Sequence, residues 1–214
     1  MLGRIVGGGL ALVALAAVLA GPAEGRGGNH SCDFEEGTIR SDHFWPGGDV
    51  LIVGFYTNEV GFPPSPQEVI TAENWGNDKG SNGLSCGSPP GTWSLLTSDL
   101  GPGDDRARLD AVGLRYKYDT PPLPLPARIP TAISGGTGED LIRGHAGIDD
   151  ISGGGGGDRL IPFDGRDRVQ GGGGADVIKA AGGGKDEVEC GAGRDKAVVS
   201  ERDRTRRCER VIVR

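Results

Sequence analysis

The stretch GGTGEDLIR GHAGIDDIS GGGGGDRLI PFDGRDRVQ GGGGADVIK, residues 135–179, falls into five consecutive units of nine. After one extra residue, Ala180, two more units follow, AGGGKDEVE (181–189) and CGAGRDKAV (190–198). The sixth position is always aspartate: Asp140, Asp149, Asp158, Asp167, Asp176, Asp186 and Asp195. The eighth is always apolar: Ile142, Ile151, Leu160, Val169, Ile178, Val188 and Ala197. One apolar residue every nine, flanked by variable positions, predicts a three-residue strand with a single inward side chain, and the glycine-rich remainder predicts a turn. Two units then complete one coil of a flattened parallel helix. Stacking such coils at the ~4.8 Å separation of neighbouring strands buries the eighth-position column as a thin continuous core.

That core is too thin to order the chain unaided. Fixing backbone costs ~1–2 kcal/mol per residue, whereas one buried Val or Ile per unit returns only ~1.5–3 kcal/mol. The stacking also brings aspartates from units two apart into adjacent layers, where like charges repel unless a cation lies between them. Calcium suits such an array, because it takes six to eight oxygen ligands in flexible geometry and neither thiolate nor imidazole stands in register here. The expected metal ligands are the seven aspartate side chains, with backbone carbonyls of Gly135, Gly153, Gly155, Gly171 and Gly173. On one edge Asp140 pairs with Asp158, Asp158 with Asp176 and Asp176 with Asp195. On the other, Asp149 pairs with Asp167 and Asp167 with Asp186.

The units resemble the haemolysin-type (RTX) nonapeptide repeat, GGxGxD followed by any residue, an apolar residue and one more. The resemblance implies an all-β chain whose residues 135–198 form a right-handed parallel β-roll holding several Ca2+ ions between its turns. A degenerate echo, LGPGDDRAR at 100–108, suggests that the preceding region grades into the same stack. Two units depart from the pattern: His145 replaces glycine in the second, and Pro162, Phe163 and Asp164 open the fourth. Those loops are expected to bind weakly or to recruit Asp164, with His145 a loop residue rather than a ligand. After Val198 the phase decays, putting Arg204 in the aspartate position and Arg206 in the apolar one, so no ion is expected there.

Upstream, Arg4 followed by the apolar run 5–20 reads as a secretory signal within residues 1–23; its sixteen residues fall short of the ~20 a membrane-spanning helix needs. Residues 29–118, which hold all the Trp and Tyr, read as a small irregular β-rich region, and the proline-rich stretch 119–134 as a linker. Residues 199–214 form a basic C-terminal cap that protects an open sheet end. Four cysteines suit two disulfides in an oxidising compartment. Of the three pairings, Cys32 with Cys86 and Cys190 with Cys208 keep each bond within one half of the chain. Cys190 and Cys208 lie eighteen residues apart, one full coil, which predicts a staple across adjacent layers.

A net charge of -7 makes nucleic acid an unfavourable partner and metal cations a natural one. Neither HExxH nor GxSxG occurs, and three histidines give little basis for imidazole catalysis. The sequence therefore points to a secreted, extracellular, non-enzymatic calcium-binding protein, and its Gly-, Ala- and Arg-rich usage to a bacterial source. Two other functions are consistent with these residues. One is a calcium-stiffened adhesion module binding a glycan or cell-envelope partner; the other is a small hydrolase with a carboxylate site in residues 29–118.

Overall fold

The computed structural model describes residues 94–109 and 125–214 in full, and between residues 29 and 88 the courses of five strands. Those five are β1 (Asn29–Asp33), β2 (Thr38–Asp42), β3 (Val50–Val60), β4 (Ser65–Trp75) and β5 (Ser81–Ser88). They are followed by β6 (Leu95–Asp99), β7 (Arg106–Arg108), β8 (Thr131–Thr137), β9 (Leu141–Arg143), β10 (Asp149–Gly155) and β11 (Arg159–Ile161). The remainder are β12 (Arg168–Gly174), β13 (Val177–Ala180), β14 (Glu187–Gly193), β15 (Lys196–Val199), β16 (Arg204–Arg206) and β17 (Arg210–Val213). No helix occurs among the described residues.

From β5 onward the strands alternate between two sheets. Sheet A runs β1-β2-β6-β8-β10-β12-β14-β16, and sheet B runs β17-β15-β13-β11-β9-β7-β3-β4-β5. From β2 and β3 onward every pairing is parallel, whereas β1–β2 and β3–β4–β5 pair antiparallel at the opposite end of the stack. The result is a parallel β-solenoid, as the nine-residue period predicts. In the regular part, successive layers are eighteen residues apart, so Ile151 stands over Ile133 and under Val169, and Leu160 between Ile142 and Ile178.

All seven eighth-position residues are buried, together with Ile133, Ala107, Ala180 and Val199. The burial alternates along each strand, with β9 and β11 burying only their middle residue, which is the pleat expected of a sheet with one core face. The inserted Ala180 extends β13 by one inward residue and pairs with Val199, so the register survives it.

The stack reaches beyond residues 135–198 in both directions. The echo at 100–108 is a full coil segment, with Asp105 and Ala107 buried at its sixth and eighth positions. Residues 131–134, read from sequence as linker, open β8, and Leu125 and Ile129 before them are buried. Proline richness hid a tenth-rate but real unit: PARIPTAIS, 126–134, puts Thr131 sixth and Ile133 eighth.

At the other end the stack continues but the period shortens, by one residue before Asp203 and by three more before Glu209, which accepts the Asp195 N–H. Ser200 N–H donates to Asp203 Oδ2 and Asp203 N–H to the Ser200 carbonyl, closing a turn one residue shorter than its predecessors. Asp203, not Arg204, takes the aspartate place, and Thr205, not Arg206, lies over Val188. Cys190 and Cys208 are disulfide-bonded with their Cα atoms 5.0 Å apart, stapling the last layers as expected. The Cys32–Cys86 pairing expected upstream lies outside the described side chains.

Candidate cation-binding edges

Each turn leads its aspartate side chain inward and parks it against the neighbouring layer. On the edge running from sheet A to sheet B, Asp140 N–H donates to Asp158 Oδ1, Asp158 N–H to Asp176 Oδ1 and Asp176 N–H to Asp195 Oδ1, each at 2.9 Å. Asp105 N–H joins this ladder at Asp140 Oδ1, and Asp195 N–H ends it at Glu209 Oε2. On the opposite edge Asp149 N–H donates to Asp167 Oδ1, Asp167 N–H to Asp186 Oδ1, and Asp186 N–H to Asp203 Oδ1. The carbonyls of Asp140, Asp158, Asp176 and Asp195 meanwhile accept N–H groups of Arg159, Val177, Lys196 and Arg210 in the next layer. All seven repeat aspartates are thus brought into two ladders, and Asp105, Asp203 and Glu209 extend them.

In six of the seven repeat aspartates one carboxylate oxygen is used up by the ladder and the other is left over: Oδ2 of Asp140, Asp158, Asp167, Asp176, Asp186 and Asp195 is buried without a hydrogen-bond partner. A buried, orphaned carboxylate oxygen costs free energy in its charged form, and the acidities respond. Burial, helped by neighbouring carboxylates, pushes Asp158, Asp176 and Asp186 up to about 6, although the backbone N–H each accepts pulls the other way. Asp167 is pushed furthest, to about 8, by burial and by the charges of Asp149, Asp186 and Asp164.

Glycine at the first position of each A-to-B unit makes room beside these oxygens. A Cβ on Gly135 would lie 2.3 Å from Asp140 Oδ2 and 2.5 Å from the Gly153 carbonyl oxygen. Gly153 stands the same way to Asp158 Oδ2 (2.3 Å) and the Gly171 carbonyl (2.6 Å), and Gly171 to Asp176 Oδ2 (2.4 Å) and the Cys190 carbonyl (2.3 Å). Three successive layers therefore each hold a cradle in which an orphaned carboxylate oxygen and a main-chain carbonyl oxygen from the next layer converge. In the last layer Cys190 stands at the position that Gly135, Gly153 and Gly171 hold in theirs.

Gly155 and Gly173 play a different part from Gly153 and Gly171. Their carbonyls accept the N–H groups of Gly138 and Gly156 at 2.7 Å, and their Cα atoms face open space. The positive φ that requires glycine falls at the second and fourth positions, as at Gly154 (114°) and Gly156 (133°), where a Cβ would also strike the carbonyl of the layer before.

The B-to-A edge is less regular. Gly144 provides one cradle, with Asp149 Oδ2 at 2.1 Å from its added Cβ, but that oxygen already accepts His145 N–H at 2.9 Å. His145 lies in the loop as expected, and it is buried there: its Nδ1 lies 2.7 Å from Asp149 Oδ1, which also accepts the Thr131 hydroxyl. In the fourth unit Pro162 replaces the cradle glycine. Phe163, at φ 74°, occupies the second position, where it is covered by the Arg143 guanidinium 4.9 Å from its ring centre. Asp164 is exposed, outside the ladder.

No group of three or more His, Cys, Asp or Glu side chains converges on one point among the described residues. Stacked buried aspartates can bind cations here only by combining single carboxylates with main-chain oxygens. No family model, no curated protein and no solved structure matches the chain.

Proposed function

We propose that this chain is an exported, non-enzymatic calcium-binding protein of the haemolysin-type repeat class, whose solenoid forms when Ca2+ enters the turns of its regular edge. The observation that carries the reading is the cradle repeated beside Gly135, Gly153 and Gly171, with its orphaned Oδ2 and converging carbonyl. The holding residues are Asp140 with the Gly153 carbonyl, Asp158 with the Gly171 carbonyl, and Asp176 with the Cys190 carbonyl. Bound calcium supplies the positive charge that these desolvated oxygens lack, and the rest of its six to eight ligands come from turn carbonyls and water.

The protein's part is to position those oxygens. The ladder bond from the preceding layer's aspartate N–H fixes Oδ1 of each carboxylate and so aims Oδ2 into its cradle. Export is supported by the apolar leader and by the Cys190–Cys208 disulfide, which suits an oxidising compartment.

Titrating the calcium-stripped full chain with Ca2+ while recording far-ultraviolet circular dichroism tests the proposal. A cooperative gain of β signal is expected with calcium and a much smaller one with magnesium, which demands a tighter octahedron. An unchanged spectrum up to millimolar calcium refutes it.

A further inference from the structure

Among the described residues, the outward face of sheet B from β7 to β17 carries no Asp or Glu. Its side chains alternate with the buried column, so the seventh and ninth positions of the A-to-B units form two outward rows along the stack. The seventh-position row runs Arg106, Leu141, Arg159, Val177, Lys196, Arg210, and the ninth Arg108, Arg143, Ile161, Lys179, Val198, Ile212. Every residue is basic or aliphatic, in a protein whose net charge is -7. From β9 to β15 the two kinds alternate both along and across the rows, so Arg143, Arg159, Lys179 and Lys196 form a zigzag. Strand geometry puts neighbouring cations of that zigzag about 8 Å apart and gives the six strands a length of about 24 Å.

Sheet A, built from the same repeats, is different. Its outward positions include Asp150, Glu187 and Glu189 beside Arg168, Arg204 and Arg206, and Arg204 pairs with Glu187 at 3.8 Å. The fold does not impose the asymmetry, since outward positions on both sheets are free to take either charge.

We propose that the outward face of sheet B is a docking surface for an anionic phospholipid bilayer. A flat array of cations matches a surface of phosphate headgroups. The half-buried Leu141, Ile161, Val177, Val198 and Ile212 between them add apolar contact to the electrostatic attraction. The two rows hold no aromatic ring, the group that stacks on sugars or bases, which favours lipid over an anionic glycan or nucleic acid.

Co-sedimentation of the calcium-loaded full chain with phosphatidylglycerol-containing vesicles, against pure phosphatidylcholine vesicles, tests this. Binding to the anionic vesicles only is expected, weakening as salt rises. Because calcium itself bridges carboxylates to lipid phosphates, two double variants of equal charge change separate the causes. Arg159→Glu with Lys196→Glu on sheet B should lower partitioning on the order of tenfold or more, while Arg168→Glu with Arg204→Glu on sheet A should not. Arg159→Gln with Lys196→Gln gives the same comparison if charge reversal impairs folding, which circular dichroism reports. Equal losses from both faces, equal binding to both vesicle types, or capture by an anionic polysaccharide without any vesicle binding overturns the proposal.

Discussion

Two glycines two residues apart, Gly153 and Gly155, should respond in opposite ways to the same substitution. In Gly153→Ala the new methyl carbon lands 2.3 Å from Asp158 Oδ2 and 2.6 Å from the Gly171 carbonyl oxygen, where ordinary contact begins at 3.4 Å. Each neighbour must retreat by roughly 1 Å, an overpacking that costs about 1–3 kcal/mol in a packed interior. Both displaced atoms are oxygens of one cradle, so calcium affinity at that layer should fall by about five- to 150-fold, the same free energy expressed as binding. In Gly155→Ala the methyl meets nothing within 4 Å and the carbonyl still accepts Gly138 N–H. Loss of glycine's freedom in the unfolded chain should stabilise this variant by about 0.4–1 kcal/mol. Isothermal calorimetry gives ion stoichiometry and affinity, and melts in saturating calcium give stability. The expected result is one weakened or missing ion for Gly153→Ala and an unchanged count with a slightly higher Tm for Gly155→Ala. If Gly153→Ala binds the same number of ions with wild-type affinity, the cradles are not the sites.

Acid should partly replace calcium: with Asp158, Asp176 and Asp186 raised to about 6 and Asp167 to about 8 from 3.8, the folded state holds protons that the unfolded chain releases. Their stabilisation is therefore complete below pH ~4 and lost as pH rises through 6 and then 8, so in chelator the β signal should grow from pH 8 to pH 5; a signal that shrinks on acidification contradicts the assignment. Cys208→Ser removes the staple across an eighteen-residue separation and should cost about 3 kcal/mol, seen as a lower Tm in saturating calcium. Leu160→Ala hollows a fully buried column position and should cost about 2–5 kcal/mol in denaturant titrations, whereas the exposed Asp164→Ala should change stability by less than about 0.5 kcal/mol.

The two ladders and the central core column were legible because their residues never change type: aspartate sixth and aliphatic eighth, through seven units. The echo at 100–108 could be read too, but the unit at 126–134 and the last turn could not, and for separate reasons. Thr131 holds the sixth place with a hydroxyl that donates to Asp149, so a search for aspartate passes over it. Asp203 and Thr205 were misplaced because a shorter turn at 200–203 removes one residue, and a fixed period of nine then reads the arginines on either side of Thr205 instead. The sequence also placed His145 in a loop without disclosing that its imidazole is drawn inward onto Asp149, since nothing local in GHAGID marks a ring as buried. The distinction between Gly153 and Gly155 is beyond any linear reading. It depends on which carbonyl of the next layer points toward which Cα.

A solenoid of this kind assigns nearly every position of its repeat to a structural task. The sixth residue is committed to the ladder, the eighth to the core, and in the A-to-B units the second and fourth to turns that only glycine fits without strain or collision. The outward seventh and ninth positions carry no such uniform task, although Arg143 among them covers the Phe163 ring. Composition there is consequently the part of the sequence least explained by folding. On sheet A those positions mix signs, as solubility alone would allow, and some form exposed ion pairs worth little, such as Arg207 with Glu189 at the last turn. On sheet B twelve positions in register exclude aspartate and glutamate altogether, although 30 acidic residues are spread through the chain. Placing like charges on neighbouring strands gains no stability and costs some through repulsion. A feature that opposes stability, and that the repeat does not require, is best accounted for by what lies outside the molecule, and a flat cationic face calls for a flat anionic partner.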